Sequence, residues 1–300
     1  MWLGSYAKWE RTRRGTLARL MAHRRDLVEP EIAEHRGRAS SRSALTVSGP
    51  RLVGSATFPF TKTEPIDRAI ADHVARLIPD RAAIEFGLGA IPQAVTRALG
   101  RKQGLGIHSG AIGDGIADLM EAGIVDNRHK EIDPAVTVAT MLMGTSRLYR
   151  FADRNPAIQI RATSYTHDAL VLGNFRRFIA INGALEVDLT GQVNAETARG
   201  RHIGLVGGQM DFIRAANRTA EGRSIIALQS TDRERTRSRI VVKLADGVVT
   251  TPRAEADLMV TEHGIAELRG RTLAERVRAL VAVADPAFRA ELEEASERLV

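Results

Sequence analysis

Three glycine-centred stretches carry the residue types from which a ligand site is built. The first is Phe86-Gly87-Leu88-Gly89-Ala90-Ile91-Pro92, where an apolar strand runs through Gly-x-Gly into a helix. Glycines there let the main chain turn tightly, and amides at the start of the helix can meet an anionic group such as a phosphate. Ile91 and Pro92 stand where a third glycine would be needed, so the stretch does not complete a dinucleotide fingerprint. The second runs from Gly204 to Phe212. Its adjacent Gly207 and Gly208 admit a ligand close to main chain, and Gln209 offers a hydrogen bond. Equally, it reads as a tight turn before a helix. In the third, Val260–Gly270, an apolar strand ends at Glu262-His263-Gly264 and a short helix is expected to follow. Such a loop can present a main-chain amide to an oxyanion. It can also be plain punctuation, with Glu262 and Arg269 in surface pairs.

These stretches need elements to hold them, and the apolar periodicity supplies them. Ile66, Ile70, Val74 and Ile78 lie at helical spacing and Pro79-Asp80 stops the helix. Ala82–Phe86 reads as a buried strand, followed by a helix from Pro92 to Leu99. Helices at Gly115–Ala122 and Ser146–Phe151 alternate with strands at Thr137–Met141 and Ala157–Arg161. Phe178–Ile181 and Leu185–Leu189 form a pair of strands broken by Asn182-Gly183. Ser224–Leu228, Arg239–Leu244 and Leu258–Thr261 follow as strands, and Leu273–Ala284 and Pro286–Leu299 as helices, with Pro286 in a first turn after Asp285. Strands interleaved with helices imply an α/β fold, a layered sheet with flanking helices.

Composition narrows the class. The chain has 300 residues, 44% hydrophobic and 26% charged, as in a globular protein. No apolar run approaches a membrane span. With no cysteine, disulfides, thiolate metal sites and a cysteine nucleophile are excluded. Residues 1–51 hold eleven Lys or Arg against five acids, so nearly all of the net charge of +7 belongs to this leader. A solvated helix at Arg11–Leu27 and a polar linker around Arg36–Ser43 are expected there. Nucleic-acid or anionic-membrane binding by the leader is the weaker expectation. The domain boundary falls before Phe58, dividing a basic leader and linker, 1–57, from a folded lobe, 58–300. A cytoplasmic setting is the default.

From about Thr61 onward the chain resembles the acetyl-CoA hydrolase/transferase family, class I CoA-transferases of the 4-hydroxybutyrate, butyrate and succinate–acetate types. Leu77–Val95, Ala180–Glu196, Gly207–Phe212, Ser238–Gly270 and Asp285–Leu292 carry the likeness, in the family's order. The resemblance implies a protein of two α/β lobes with CoA held at their junction, and it covers only the second lobe. It also implies acyl-CoA and small carboxylic acids as partners, CoA as substrate rather than tightly bound cofactor, and no metal. Self-association, or pairing with a full-length homologue, is expected to complete the site.

By the same resemblance, Gly87, Gly89 and Ile91 match a CoA-contacting turn, Gly207, Gly208 and Gln209 a ligand loop, and Gly264 an oxyanion amide. The family's nucleophilic glutamate attacks the thioester to give an anhydride, then a glutamyl-CoA thioester that an acceptor carboxylate resolves. Its slot, counted along the resemblance, falls at Ser164, which cannot form that thioester. Three further departures are His108-Ser109-Gly110 for the family's His-Thr-Glu, Ala215 for an asparagine, and Leu205 for a loop glycine. Glu186 reads as a structural carboxylate. His167, three residues from Ser164, is either a base for water or a loop histidine held by hydrogen bonds. Three outcomes therefore stand: CoA transfer, acyl-CoA hydrolysis, or a non-catalytic subunit.

Overall fold

The computed structural model describes residues 63–297, apart from 199, 205 and 245–247. The expected leader helix, the linker, the boundary before Phe58 and Leu205 lie outside the described residues. Helix α1 (Pro65–Leu77) opens with Glu64 N–H donating to Asp67 at 2.9 Å and buries Ile70 and Val74. Strand β1 (Ala83–Phe86), α2 (Ala90–Ala98), β2 (Gly106–Ile112), α3 (Asp114–Glu121), β3 (Thr137–Leu142), α4 (Ser146–Ala152) and β4 (Ile158–Ile160) follow in strict alternation. Two single-turn helices, α5 (Thr163–Thr166) and α6 (Ala169–Leu172), lead to β5 (Phe178–Gly183). The short strands β6 (Glu186–Asp188), β7 (Val193–Asn194), β8 (Thr197–Ala198) and β9 (Arg201–His202) precede α7 (Gln209–Arg218). The chain then forms β10 (Arg223–Ala227), β11 (Ile240–Val241), β12 (Leu258–Thr261), β13 (Gly264–Glu267), α8 (Leu273–Ala282) and α9 (Arg289–Ser296).

Eight strands form the main sheet in the order β13-β12-β10-β5-β1-β2-β3-β4. All neighbours are parallel except β12 and β13. The chain fills the sheet from β1 outward to β4, then returns to β5 and fills the other side. The order thus reverses between β1 and β5, where parallel α/β sheets open a crevice at the strands' carboxyl ends.

Period-two alternation divides the side chains between two layers. Register sets Ala83 against Phe178 and Glu85 against Ala180, so Ala83, Glu85, Phe178, Ala180 and Asn182 share one face. The apolar members pack with Phe212, Ala215 and Ala216 of α7. Ile84, Phe86, Ile179 and Ile181 project oppositely and pack with Ile70 and Val74 of α1 and Val95 of α2.

The layered α/β architecture is the one expected, with five local corrections. Strand β2 was not expected, because Gly106, His108, Ser109 and Gly110 break its apolar run. It is buried nonetheless: Ser109 Oγ donates to Phe86 O at 3.1 Å, and His108 Nε2 lies 3.1 Å from Thr166 O. The short helix expected after Gly264 is instead β13. The free edge of β12 supplies hydrogen bonds to a segment too short to stand as an isolated helix. Leu185–Leu189 retains only β6, which joins β11 and β7 in a separate sheet. Arg239–Leu244 contracts to β11. Glu262 and Arg269 are not in surface pairs: Glu262 accepts from Ser230, and Arg269 binds the buried Asp257 at 2.8 Å. At the C-terminal end, Asp285 caps the turn that begins with Pro286, accepting from Ala287 N–H at 3.0 Å. No helix among the described residues is long and apolar enough to cross a membrane.

Candidate functional site

A cavity of about 1200 Å³ opens at the carboxyl ends of β1, β5 and β10, at the point where strand order reverses. The β1–α2 turn forms one wall and the start of α7 another. Gly87 donates its N–H to Ile181 O at 2.7 Å, and a Cβ there would lie 2.8 Å from Asn182 Oδ1. Gly208 caps α7, and a Cβ on it would overlap the His167 ring. Both glycines are therefore required by close approach of their neighbours. Ala90 and Ile91 N–H at the start of α2 and Met210 N–H at the start of α7 have no partner among the described residues, whereas Gln209 N–H donates to Val206 O at 3.4 Å and Asp211 N–H to Gly208 O at 3.0 Å. Each helix start carries a partial positive charge. Since Gly89–Ile91 and Gly207–Gln209 line the cavity, both helix starts adjoin the same space. Its rim carries Leu88, Met141, Ile203 and Val206, large apolar side chains left exposed.

Of the residues singled out from sequence, Gly87, Gly89, Ile91, Ser164, His167, Gly207, Gly208 and Gln209 surround this cavity. Ile91 also packs on the core, and Gln209 Nε2 donates to Thr251 Oγ1 at 3.1 Å. Gly264 does not line it. That residue pairs with Thr261 in the β12–β13 hairpin, which is tied to the end of β10 by Ser230 Oγ donating to Glu262 at 2.6 Å. Glu186 lies in β6, outside the cavity walls.

Ser164 stands on α5, which is clamped from behind. Tyr165 OH donates to Asp133 at 2.7 Å, Arg161 pairs with Asp133 at 2.9 Å, and the Arg161 guanidinium lies 4.4 Å from the Tyr165 ring centre. Thr166 Oγ1 contacts both Thr140 Oγ1 at 2.6 Å and His167 Nδ1 at 2.7 Å. His167 packs on Phe212, with ring centres 4.6 Å apart. Burial lowers its pKa against the opposing charge of Asp211, which keeps the imidazole neutral at physiological pH. No hydrogen bond joins Ser164 to His167, so the two do not form a serine–histidine dyad. Gly110 of the His108-Ser109-Gly110 stretch lines the cavity as well, and a Cβ there would sit at ordinary contact, 3.4 Å, from His167 and Phe212.

Sequence reasoning missed several polar residues in the walls. Glu85, fully buried in β1, accepts from Asn182 Nδ2 at 2.8 Å. Burial outweighs that bond and pushes its pKa up to about 8, so the carboxyl is protonated at neutral pH. An acid inside a four-residue buried strand, just before Gly87, was the available signal. Asp67 accepts from Gln229 Nε2 at 2.8 Å and from Glu64 N–H, which answers both its oxygens. Arg239 is half-buried in the cavity wall.

Residues 144–296 match the model of the acetyl-CoA hydrolase/transferase C-terminal domain. The chain is 40% identical to the 4-hydroxybutyrate coenzyme A transferase of Clostridium kluyveri over 272 residues, 89% of this chain and 63% of that protein. It superposes on the crystal structure of RipA from Yersinia pestis with a TM-score of 0.78 and 36% identity, covering 81% of this chain and 55% of RipA. Against the 4-hydroxybutyrate CoA-transferase of Porphyromonas gingivalis the TM-score is 0.72 at 36% identity, with coverage of 82% and 58%. The chain thus spans somewhat over half the length of each of these proteins.

Proposed function

Since the chain belongs to the acetyl-CoA hydrolase/transferase family, we propose that its cavity binds the thioester arm of an acyl-CoA and serves CoA transfer to a small carboxylic acid. The observation that carries this reading is the convergence of two glycine turns, each opening a helix, on one cavity at the strand-order reversal. The apolar rim suits a pantetheine arm or short acyl chain. The helix-start amides suit an oxygen that becomes negative as a thioester carbonyl is attacked. They take the oxyanion role expected of Gly264, which lies outside the cavity.

In the transfer, a carboxylate oxygen attacks the thioester carbonyl carbon and the C–S bond breaks, leaving a mixed anhydride and CoA thiolate. The thiolate then attacks the enzyme's carboxyl carbon of that anhydride, releasing the first acid. The acceptor carboxylate repeats the two steps in reverse. This needs an ionised carboxylate facing the thioester. Among the described residues the cavity offers Asp67, with both oxygens engaged, Glu85, protonated, and Asp211, exposed on the first turn of α7. Ser164 and Gly110, the two places where the family resemblance puts acids, hold none. This favours a second reading, an acyl-CoA-binding chain whose transfer chemistry depends on a carboxylate supplied from elsewhere.

The test mixes the protein with acetyl-CoA and butyrate and follows products by chromatography. Butyryl-CoA marks transfer, free CoA marks hydrolysis, and saturable acetyl-CoA binding without either product marks the second reading. Ser164→Glu and Gly110→Glu each return a carboxylate to the cavity. In the second reading, at least one of them gains butyryl-CoA formation that the unaltered chain lacks. Absence of acetyl-CoA binding at millimolar concentration contradicts both readings.

A further inference from the structure

Arg239 is the one Lys or Arg among the described residues that line the cavity. Its backbone is fixed from both sides, with Arg239 N–H donating to Ser230 O at 2.8 Å and Val187 N–H donating to Arg239 O at 2.9 Å. Ser230 is itself held by Glu262. The guanidinium, by contrast, has no hydrogen bond or ion pair with any described residue. Other partly buried arginines are answered by the protein: Arg161 by Asp133, Arg223 by Asp257, Arg177 by Glu221, and Arg276 by the Arg253 carbonyl. Nor do the cavity's own acids neutralise Arg239, because none of Asp67, Glu85 and Asp211 forms an ion pair with it.

A cation partly withdrawn from water without a counter-charge is unfavourable. Its planar fork matches the two oxygens of a carboxylate or a phosphate. We propose that Arg239 is the anion-binding residue of this cavity, gripping an oxyanion group of the ligand through paired hydrogen bonds. The assignment rests on the acyl-CoA reading, which offers two sources for such a group. One is a free carboxylate, on a dicarboxylic acyl group or on the acceptor acid. The other is a phosphate of CoA itself.

Calorimetric titration of the full chain with acetyl-CoA, succinyl-CoA and acetyl-pantetheine separates these sources. Because no group among the described residues depends on the Arg239 guanidinium, Arg239→Gln leaves none of them unpaired, and its thermal unfolding should match the unaltered chain. If a carboxylate is the ligand, Arg239→Gln weakens succinyl-CoA about tenfold or more and acetyl-CoA little. If a phosphate is bound, both CoA thioesters weaken by that factor and acetyl-pantetheine does not. Arg239→Lys, which keeps the charge but loses the fork, falls between. Unchanged binding of all three ligands by Arg239→Gln overturns the assignment, as does an equal loss that includes acetyl-pantetheine. Should the unaltered chain bind none of the three, the acyl-CoA reading fails by itself. Titration with succinate and inorganic phosphate then decides Arg239 separately, Arg239-dependent binding upholding the assignment and no such binding overturning it.

Discussion

The cavity at β1 and β5 and the polar cluster behind α5 hold similar side chains and treat them in opposite ways. In the cluster, each charge is answered by the protein. Buried Lys130 donates to Ile107 O at 2.9 Å and Val136 O at 2.6 Å, and Asp133 accepts from both Arg161 and Tyr165. Asn127 completes it by bridging Ile107 N–H and Thr137 Oγ1. In the cavity, no described residue pairs with the Arg239 guanidinium or bonds the Ser164 side chain, and Glu85 keeps its proton beside Asn182. Polar groups that the fold satisfies hold α5 and β2 in place. In the proposed reading, the Arg239 guanidinium, which no described residue pairs, is where a ligand supplies the partner, while Asp67, Glu85 and Gln209 are bonded by the protein.

The largest effect expected is on the cluster. Asp133→Ala strands the mostly buried Arg161 and removes the acceptor of Tyr165, and should cost about 3 kcal/mol. In thermal unfolding that is a fall in Tm on the order of 10 °C, with CoA affinity of the folded protein changed less than stability. A variant that kept its Tm but lost CoA would break the division between the two regions. Next comes Gly208→Ala, whose Cβ must displace His167. It should weaken CoA about tenfold while lowering Tm by less than Asp133→Ala, as read by titration and melting of the same sample.

The smallest effect concerns pH. The Glu85 carboxyl, raised from 4.5 to about 8 on folding, binds a proton in the native state that the unfolded chain has already released. Its contribution is therefore fully present below pH 4.5 and declines as pH rises to about 8. Lys130 acts with the opposite slope. Burial lowers it from 10.5 to about 7, so it favours the native state increasingly as pH rises between those values. Glu85→Gln mimics the protonated acid, keeps an acceptor for Asn182, and should raise Tm at pH 8 by a few °C, about 2–4 °C per kcal/mol recovered. The gain should vanish near pH 4.5. An equal shift at both pH values would show that Glu85 is not held protonated.

What could be read from sequence was what neighbours in sequence determine. An apolar run ending in Gly87 and Gly89 already implies a strand, a tight turn and the start of a helix, and Gly207-Gly208 before Phe212 implies another. What escaped depends on residues far apart. Glu85 and Asn182, 97 positions distant, meet only because β1 and β5 pair in register. Strand β2 escaped because its glycines replace the apolar signal and because His108 Nε2 and Ser109 Oγ bond Thr166 and Phe86 in other elements, His108 Nδ1 being left without a partner among the described residues. The helix expected after Gly264 gave way to β13 because β12 offered an open edge, a fact about the sheet rather than the segment. Arg239 reads in sequence like any strand-flanking arginine, and only the fold shows that no described residue pairs with its guanidinium.

The central claim is that the crevice between the β1–α2 turn and the start of α7 takes the thioester arm of CoA, and a crystal structure of the chain grown with saturating acetyl-CoA tests it most directly. The account expects the pantetheine arm between Gly87–Gly89 and Gly207–Gln209, with the thioester facing Ser164 and Gly110. Acetyl-CoA bound elsewhere, with this cavity filled only by water, would contradict it.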